Sequence, residues 1–511
     1  MSGKKELGVV LTPQKTADYI ISRLGKIKDI HEICDPCVGP GVFVNSLLKA
    51  GVNRNSIRTF DINTEYKSKI DELGVLFQNQ DTLLSLDKDL HNKFDFIVGN
   101  PPYLNKSSTY IRKNRKKLKK IYGKINAHET YAMFILNGIW RLKEGGKLGF
   151  ITSDSFLTLR THAKLRRFIL DNCLINEILL APKNLFANQN VSTSPVIMIL
   201  TKCTGEENDI QRKENVMKII PRVKKESDYH DPPIIHEYKQ EMYELLPSNL
   251  FFSDVEPEIL HMFRKASKLS EYLKGFIGMH THDNKRYIAA IEGTHLAEIF
   301  KKRNEKSQIE GGEYKIITKN ALNSNDWKPY LKRGGADQYF RPIMEALDWN
   351  PSSVKIYDIP NNVPFEEEGI VISGVSSILA ARYMPKGCYW DSNKAIGFIV
   401  KNPTLSIEYF LGLLNSSLYN YLAKGILNNT SSIQLTTIHA LPLVFPEEKM
   451  KEEVERLVRQ ILNGLKRDIH YNYTEERKKI DDLIYNFHAV RFDFSDGVQQ
   501  KLEHFQGHNQ Y

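Results

Sequence analysis

The first 225 residues alternate short apolar runs with helical segments, and this alternation constrains the fold more than any other feature of the sequence. The apolar runs are bounded by turn residues and cover 30–34, 57–62, 94–98, 147–151, 175–180 and 195–200. Segments with helical patterning separate most of them and cover 13–26, 42–50, 64–73, 127–143 and 161–172. Strands that alternate with helices form a mostly parallel sheet covered on both faces. We therefore predict an α/β, Rossmann-like domain over residues 1–225.

The rest of the chain differs from the first 225 residues in composition and patterning. Residues 226–250 are polar and rich in turn residues, which predicts a linker. Residues 251–445 contain many short segments with Gly and Pro punctuation and scattered aromatics, and we expect a second domain of mixed α+β structure there. Residues 446–511 hold two charged amphipathic helices, so we expect a C-terminal helical segment.

The composition is that of an ordinary globular protein. Apolar residues make up 41% of the 511 residues and charged residues 26%, which excludes a wholly disordered chain. The apolar runs are far shorter than the roughly 20 residues that span a bilayer, so we expect no membrane partner. Five cysteines are too few for a disulfide framework and fit a reducing cytoplasm. The net charge of +10 is compatible with a polyanionic partner but does not establish one.

Three acidic residues come at or just after the ends of three successive predicted strands. Asp35 opens a glycine-rich turn over 35–41 (DPCVGPG), Asp61 ends the second strand, and Asp81 follows the third. A glycine-rich turn lets a ligand approach the backbone, and an acid after the second strand can hydrogen-bond a ribose diol. Because the turn lacks the third glycine of a dinucleotide-binding fingerprint, the sequence predicts a pocket for a single nucleoside.

The segment Asn100-Pro101-Pro102-Tyr103 directly follows the fourth strand and its glycine. Its two prolines fix the backbone and remove two hydrogen-bond donors. The Asn100 side chain and a backbone carbonyl remain as acceptors beside an aromatic ring. This arrangement suits a planar exocyclic amine, whose two N–H groups would be bound while the ring stacks on Tyr103. The alternative is an ordinary Asn-Pro turn beside a core tyrosine, and the position next to a nucleoside pocket favours the amine site.

These motifs, in this order, resemble the gamma-class N6-adenine DNA methyltransferases that use S-adenosyl-L-methionine, and in particular their TaqI-like branch. That class begins with a Thr-Pro segment, found here as Thr12-Pro13, and continues with the glycine motif, the two acids and Asn-Pro-Pro-Tyr. The resemblance extends over about residues 1–201 and is looser over 251–445. Pro40 departs from the usual small residue between the two glycines of the turn.

The resemblance implies a class I methyltransferase fold and a role for each motif. Asn100 and the Pro101 carbonyl would hold the N6 amino group of an adenine flipped out of duplex DNA. Tyr103 and Phe186 would pack on that base. The residues implied to bind S-adenosyl-L-methionine are Thr12, Asp35, Cys37, Gly39, Asp61, Ile62, Asp81, Pro102 and Phe134. The second domain would recognise the target sequence.

Nine basic residues and no acid lie between Lys106 and Lys124, directly after the Tyr103 motif. We predict that a mobile basic segment there contacts DNA phosphates, although such a run is also typical of a solvated helix face. The predicted DNA-binding residues are Lys106, Arg112, Lys113, Arg115, Lys116, Lys117, Lys119 and Lys120, with Lys332 and Arg333 from the second domain. No metal site is predicted, because Cys34 and Cys37 lack a second pair, and scattered histidines such as His280 and His282 are more often structural or in contact with DNA.

The expected function is therefore that of a modification enzyme of a restriction-modification system, or an orphan methylase. We expect it to act as a monomer on double-stranded DNA, with any restriction endonuclease acting separately. Its expected location is the prokaryotic cytoplasm, on the nucleoid when bound to DNA. Two alternatives stay open: a methyltransferase for RNA bases or protein glutamine with the same Asn-Pro-Pro-Tyr site, and a catalytically silent DNA-binding module.

Overall fold

The computed structural model describes residues 8–85, 88–189, 194–306, 313–332, 334–428 and 432–509. The chain divides into two compact units, Met1–Val255 and Glu256–Tyr511. Each unit has its own sheets and its own buried core.

A nine-stranded sheet forms the centre of the first unit. Its strands are β1 (Ile33–Asp35), β2 (Ile57–Asp61), β3 (Leu76–Asn79), β4 (Phe94–Gly99), β5 (Leu142–Ser153), β6 (Cys173–Leu180), β7 (Pro195–Lys202), β8 (Val216–Ile220) and β9 (His236–Lys239). Their order across the sheet is β3-β2-β1-β4-β5-β7-β6-β8-β9. The first five of these are parallel, and β7 runs antiparallel to β5 and β6. The predicted α/β fold of the class I methyltransferases is confirmed.

Helices connect and cover these strands. They are α1 (Gln14–Arg23), α2 (Val42–Lys49), α3 (Lys67–Glu72), α4 (Thr109–Tyr122), α5 (Thr130–Arg141), α6 (Ser155–Thr158), α7 (Ala163–Asn172) and α8 (Asp209–Glu214). Pro13, with φ of −62° and ψ of 147°, comes directly before α1. The predicted run 147–151 is the centre of a longer strand, because β5 begins directly after α5.

Residues 226–250, predicted as a linker, belong to the first unit. Strand β9 lies among them and pairs antiparallel with β8, which extends the sheet by one strand. The Tyr243 ring stacks on Phe251 with ring centroids 4.3 Å apart. These few buried aromatic residues pack the segment against the rest of the unit. The polar, turn-rich composition of the segment did not indicate them.

The second unit is mixed α+β, as predicted. Its strands are β10 (Ser267–Lys268), β11 (Leu273–Ile277), β12 (Ile288–Ile291), β13 (Lys315–Ile317), β14 (Trp327–Leu331), β15 (Glu345–Asp348), β16 (Gly369–Ser373), β17 (Ala381–Met384), β18 (Tyr389–Trp390), β19 (Ala395–Val400) and β20 (Pro442–Leu443). They form a sheet of order β11-β19-β16-β17, a sheet of order β13-β12-β15-β14-β18, and the pair β10-β20. Trp390 is fully buried in the core of this unit.

The helices of the second unit are mostly short until its end. They are α9 (Pro257–Lys265), α10 (Asn284–Tyr287), α11 (His295–Lys306), α12 (Pro351–Val354), α13 (Ile407–Asn415), α14 (Ser417–Asn420), α15 (Leu435–His439), α16 (Glu448–Arg467), α17 (Thr474–Phe492) and α18 (Asp496–Asn509). The predicted pair of C-terminal helices corresponds to α16 and α17. Throughout the described residues, every helix is too short or too polar to cross a membrane.

Candidate cofactor and base-binding site

A pocket opens at the carboxyl ends of β1 to β4, where the motif residues converge. Eight of the nine predicted cofactor residues line it: Thr12, Cys37, Gly39, Asp61, Ile62, Asp81, Pro102 and Phe134. Asp35 is the ninth and lies fully buried beside them at the end of β1. Asn100 also lines the pocket. Ile62 keeps 46% of its surface exposed there, and an exposed apolar side chain in a pocket offers contact to a ligand's ring.

Asp35 is a buried carboxylate with one oxygen in use. Its Oδ1 accepts the backbone N–H of Cys37 at 3.1 Å. Its Oδ2 is buried and has no hydrogen-bond partner among the residues that the structure describes. Burial raises the pKa of Asp35 to about 8, and the nearby Asp61 adds to the shift. An unpartnered buried acceptor is costly, so this oxygen fits a cationic or N–H-bearing ligand group.

The glycine turn is attached to the end of β2 through Asp61. Asp61 Oδ2 accepts the backbone N–H of Gly39 at 2.9 Å, and Oδ1 accepts that of Asn63 at 2.8 Å. Gly41 has φ of +91°, and a Cβ there would lie 2.8 Å from Ile70, so this position needs glycine. Burial raises the pKa of Asp61, against the lowering effect of these backbone bonds. The Asp61 carboxylate is thereby held at the pocket wall with lone pairs to spare.

Asp81 is held from two directions. Its Oδ1 accepts the backbone N–H groups of Leu83 at 3.1 Å and Leu84 at 3.2 Å. The Tyr110 hydroxyl lies 3.0 Å from both carboxylate oxygens. Tyr110 also lines the pocket, although no sequence motif marks it.

The Asn100 side chain is oriented by the segment before α1. Its Nδ2 donates to the Val10 carbonyl and to Thr12 Oγ1, both at 2.9 Å. A carbonyl can only accept, so the nitrogen must face Val10 and the oxygen must face away. That oxygen, Oδ1, is buried and receives no hydrogen bond within the described part of the chain. The predicted acceptor is therefore present and unused.

Thr130 fixes the backbone of the Asn-Pro-Pro-Tyr loop, a role that the sequence analysis missed. Its hydroxyl donates to the Pro102 carbonyl and accepts the Leu104 N–H at 3.0 Å. The Tyr103 N–H donates to the Gly8 carbonyl at 3.1 Å. These bonds use the loop's own polar groups, whereas the Pro101 carbonyl receives no bond from the described residues.

Tyr103 and Phe186 lie near each other, with ring centroids 6.4 Å apart and planes inclined at 53°. The Tyr103 hydroxyl is buried and finds no partner among the described residues, and burial raises its pKa. Phe186 is 2% exposed. Because its ring face is covered, packing of Phe186 on a flipped base requires a local rearrangement.

Two side chains hold the loop that carries Phe186. Gln189 accepts the Leu11 N–H at 2.6 Å and donates to the Leu11 carbonyl at 2.8 Å. Arg222 donates to the Ala181 carbonyl at 2.5 Å and the Pro195 carbonyl at 2.8 Å, and it pairs with Asp154. The loop is therefore tied to the segment that orients Asn100. Residues 190–193 lie outside the described residues.

The basic run after Tyr103, which the sequence predicts as a mobile segment, forms helix α4. Ser108 caps the helix by accepting the Ile111 N–H at 3.3 Å, and Ile111, Leu118 and Tyr122 form its buried face. The predicted DNA contacts on this helix are all exposed: Arg112, Lys113, Arg115, Lys116, Lys117, Lys119 and Lys120. Lys106 is exposed in the preceding turn. The run thus forms a solvated helix face, and its contact with DNA stays a prediction.

The basic residues predicted in the second unit are less informative. Lys332 lies 2.6 Å from the buried carboxylate of Asp391, which gives it a role inside its own unit. Arg333 lies outside the described residues. Elsewhere in this unit His280, His282 and Asp358 bring three ligand atoms within 4.8 Å of one another. His282 pairs directly with Asp358 at 2.9 Å, and the prediction of no metal site stays a prediction.

Comparison with known proteins finds that part of the chain is similar to restriction-modification methylases. Residues 41–186 match the family model of the Eco57I restriction-modification methylase, a span that runs from the end of the glycine turn to Phe186. The Type II methyltransferase M.HincII of Haemophilus influenzae is 29% identical over 210 residues, which cover 40% of this chain and 39% of that protein. The Type II methyltransferase M.AccI of Acinetobacter calcoaceticus is 23% identical over 466 residues, which cover 84% of this chain and 82% of that protein.

One solved structure resembles the chain over nearly its whole length. It is the Type IIL restriction-modification enzyme MmeI in complex with DNA, with a TM-score of 0.53, 12% identity, and coverage of 96% of this chain and 75% of that chain. At this identity the likeness shows the fold alone. The match to M.HincII, by contrast, spans about two fifths of that relative's length.

These matches confirm the resemblance to the gamma-class adenine methyltransferases, while the TaqI-like branch stays a prediction. They also confirm S-adenosyl-L-methionine as the cofactor, because the matched methylase family model covers five of the nine predicted cofactor residues, namely Asp61, Ile62, Asp81, Pro102 and Phe134.

Proposed function

We propose that this chain is an adenine-specific DNA methyltransferase that transfers a methyl group from S-adenosyl-L-methionine to the N6 amino group of an adenine flipped out of duplex DNA. The observation that carries the proposal is the Asn100 side chain. Its nitrogen is held by Val10 and Thr12, and its carbonyl oxygen is buried without a partner. That oxygen is fixed in place to accept an N–H group from a substrate.

The three acids of the pocket suit a cationic nucleoside cofactor. When bound, S-adenosyl-L-methionine supplies an electrophilic methyl group. The unpartnered Oδ2 of Asp35 is suited to its ammonium group, and pairing with that cation would lower the raised pKa of Asp35. We expect Asp61 to bind the ribose hydroxyls and Asp81 the adenine amino group. The apolar side chains of Ile62 and Phe134 line the same pocket.

The target amine would be held by two acceptors. Asn100 Oδ1 and the Pro101 carbonyl accept its two N–H groups, which draws the nitrogen toward tetrahedral geometry and localises its lone pair. The nitrogen would then form a bond to the methyl carbon as the carbon–sulfur bond of the cofactor breaks, which would leave S-adenosyl-L-homocysteine, and it would lose one proton to water. Positioning and electrostatics supply most of this catalysis. No covalent enzyme intermediate is needed, and burial raises the pKa of Cys37 well above its usual value, which keeps this thiol neutral.

An adenine amino group within a duplex is out of reach, so the base must leave the stack. We expect Tyr103 and Phe186, whose ring centroids lie 6.4 Å apart, to pack on it once a local rearrangement uncovers the Phe186 ring. Unit Met1–Val255 would then perform the chemistry, and unit Glu256–Tyr511 would choose the sequence. The exposed basic face of α4 supports contact with phosphates.

We further propose that the chain works as the modification enzyme of a restriction-modification system, as a monomer on DNA, with any endonuclease acting separately. The relatives support this assignment, since several of them are Type II methyltransferases. An acceptor pair of this kind would also hold an amino group of an RNA base or a glutamine side-chain amide. The similarity of fold to MmeI in complex with DNA favours duplex DNA over these two substrates.

Transfer of tritiated methyl groups from S-adenosyl-L-methionine tests the proposal. Duplex DNA, RNA and protein are offered separately to the full chain and to Asn100→Ala. We expect incorporation into duplex DNA alone, recovered as N6-methyladenine after digestion, and none with the variant. Incorporation into RNA or protein alone would replace the proposal by one of the alternatives. Cofactor binding without transfer to any substrate would support a silent DNA-binding module.

A further inference from the structure

Tyr110 joins the basic helix α4 to the cofactor pocket. It lies in the first turn of the helix, and its hydroxyl is 3.0 Å from both carboxylate oxygens of Asp81. It also lines the pocket together with Asp81, Leu83 and Phe134. Burial and the neighbouring Asp81 raise the pKa of the Tyr110 hydroxyl, so it stays protonated and acts as the donor to the carboxylate.

The hydrogen bonds of Asp81 leave room for one more donor. A carboxylate offers about four lone-pair sites. Oδ1 accepts the Leu83 and Leu84 N–H groups, while the single Tyr110 proton is shared between Oδ1 and Oδ2. The three donors approach from the loop and from the helix, and together they prevent the carboxylate from rotating. Oδ2 is therefore the oxygen left to accept an N–H group from a ligand.

We propose that Tyr110 is a positioning residue that makes the pocket selective for a 6-amino purine nucleoside. This inference rests on the proposed function, in which Asp81 accepts a hydrogen bond from the amino group of the cofactor's adenine. A fixed carboxylate discriminates between an amino group, which donates to it, and a ring carbonyl, which places a second acceptor against it. A carboxylate that can turn and be hydrated discriminates less.

The helix offers a matched control. Tyr122 lies at the other end of α4, and its hydroxyl donates to the Leu83 carbonyl at 2.9 Å and accepts from Asn137 at 3.2 Å. Tyr122→Phe thus removes a hydroxyl that ties the same helix to the same loop, but it leaves the bonds of Asp81 intact. A loss that depends only on the anchoring of the helix should occur in both variants.

Calorimetry on the full chain tests the inference with two probes. They are S-adenosyl-L-homocysteine and S-inosyl-L-homocysteine, which carries a carbonyl in place of the 6-amino group. We expect the wild type to prefer the adenosyl compound. In Tyr110→Phe its affinity should fall about tenfold, as for loss of a bond to a charged group, whereas that of the inosyl compound should change less than about twofold. Tyr122→Phe should keep the wild-type ratio between the affinity for the adenosyl compound and the affinity for the inosyl compound.

The possible results are distinguishable. An unchanged ratio in Tyr110→Phe, or tighter binding of the adenosyl compound, would overturn the inference and leave the proposed cofactor site standing. An equal fall of the ratio in Tyr122→Phe would assign the effect to the helix as a whole and would also overturn it. If the wild type binds neither probe, the proposed cofactor site fails and the inference fails with it.

Discussion

The side-chain amide of Asn100 donates a hydrogen bond of 2.9 Å to the hydroxyl oxygen of Thr12. The two residues are 88 positions apart in the sequence, one before the first helix and one after the fourth strand. This bond and its partner to Val10 decide which end of the amide is left over for a substrate. The Thr-Pro segment therefore acts on the target amine as well as on the cofactor pocket that it lines.

Removal of the Thr12 hydroxyl should slow transfer. In Thr12→Val the amide nitrogen of Asn100 loses one of its two acceptors, and the orientation of the amide loosens. We expect kcat at saturating cofactor to fall about fivefold to tenfold, the worth of one hydrogen bond. Thr12→Ser keeps the hydroxyl and should keep kcat within about twofold. Steady-state methyl transfer to duplex DNA measures both, and equal kcat values in Thr12→Val and wild type would contradict this role.

Asp35 should make cofactor-product binding depend on pH. Its pKa of about 8 means that the free protein holds this carboxyl protonated at neutral pH, whereas the ligand's ammonium group prefers it ionised. We expect the affinity for S-adenosyl-L-homocysteine to rise from pH 6 to about pH 8 and then to level off. Asp35→Asn cannot ionise, so it should bind more weakly and lose this rise. A wild-type rise that persists in Asp35→Asn would assign it to another group.

The same carboxyl should affect the stability of the ligand-free protein with the opposite sign. The folded state binds a proton at Asp35 between the ordinary carboxyl pKa of 3.8 and about 8, whereas the unfolded state does not. Its contribution to the free energy of unfolding is therefore fully present below the unfolded pKa and is lost as the pH rises through the folded pKa. Urea unfolding of wild type and Asp35→Asn should show a smaller decline from pH 5 to 8 in the variant. Parallel profiles would contradict the raised pKa.

The exposed face of α4 should supply part of the salt dependence of DNA binding. In the test variant, four exposed lysines of this face are replaced by Gln: Lys116, Lys117, Lys119 and Lys120. Each lysine that contacts a phosphate should reduce the slope of log affinity against log salt by about 0.9. A control neutralises four exposed lysines elsewhere on the same unit, Lys26, Lys28, Lys49 and Lys69. Fluorescence anisotropy at several salt concentrations compares the two, and equal slopes would assign the α4 lysines to solvent.

The two hydrogen bonds between the Gln189 side chain and the Leu11 backbone should affect catalysis through Phe186. Gln189→Ala removes two hydrogen bonds that tie the Phe186 loop to the segment beside Asn100. We expect kcat to fall several-fold while binding of S-adenosyl-L-homocysteine stays within about twofold. Gln189→Glu retains one acceptor and loses the donor, so it should lie between wild type and Gln189→Ala. Loss of cofactor-product affinity without loss of kcat would contradict this prediction.

The site residues that the sequence could predict are those fixed by local pattern. Asp61 and Asp81 follow strands whose apolar character is visible in the sequence, and parallel strand ends bring them to one edge of the sheet. Asn100 is marked by its two prolines. These residues converge on one pocket, as predicted.

The contacts that support these residues were not predictable, because they join segments far apart in the chain. Thr130 and Gln189 are ordinary polar residues whose partners lie 28 and 178 positions away. Tyr110 lies within the basic run from Lys106 to Lys124, and the sequence of that run predicts a mobile segment. The few apolar residues of that run, Ile111, Leu118 and Tyr122, recur on one face and suffice to order α4.

Methyl transfer to one nitrogen atom of one base is the central proposal, and mapping of methylated bases on genomic DNA tests it most directly. Cells that express the wild-type chain are compared with cells that express Asn100→Ala, after the variant has been shown to bind S-adenosyl-L-homocysteine. We expect N6-methyladenine at one recurring sequence in the wild-type cells and none above background in the variant cells. Methylation of cytosine, or N6-methyladenine that persists with Asn100→Ala, would contradict it.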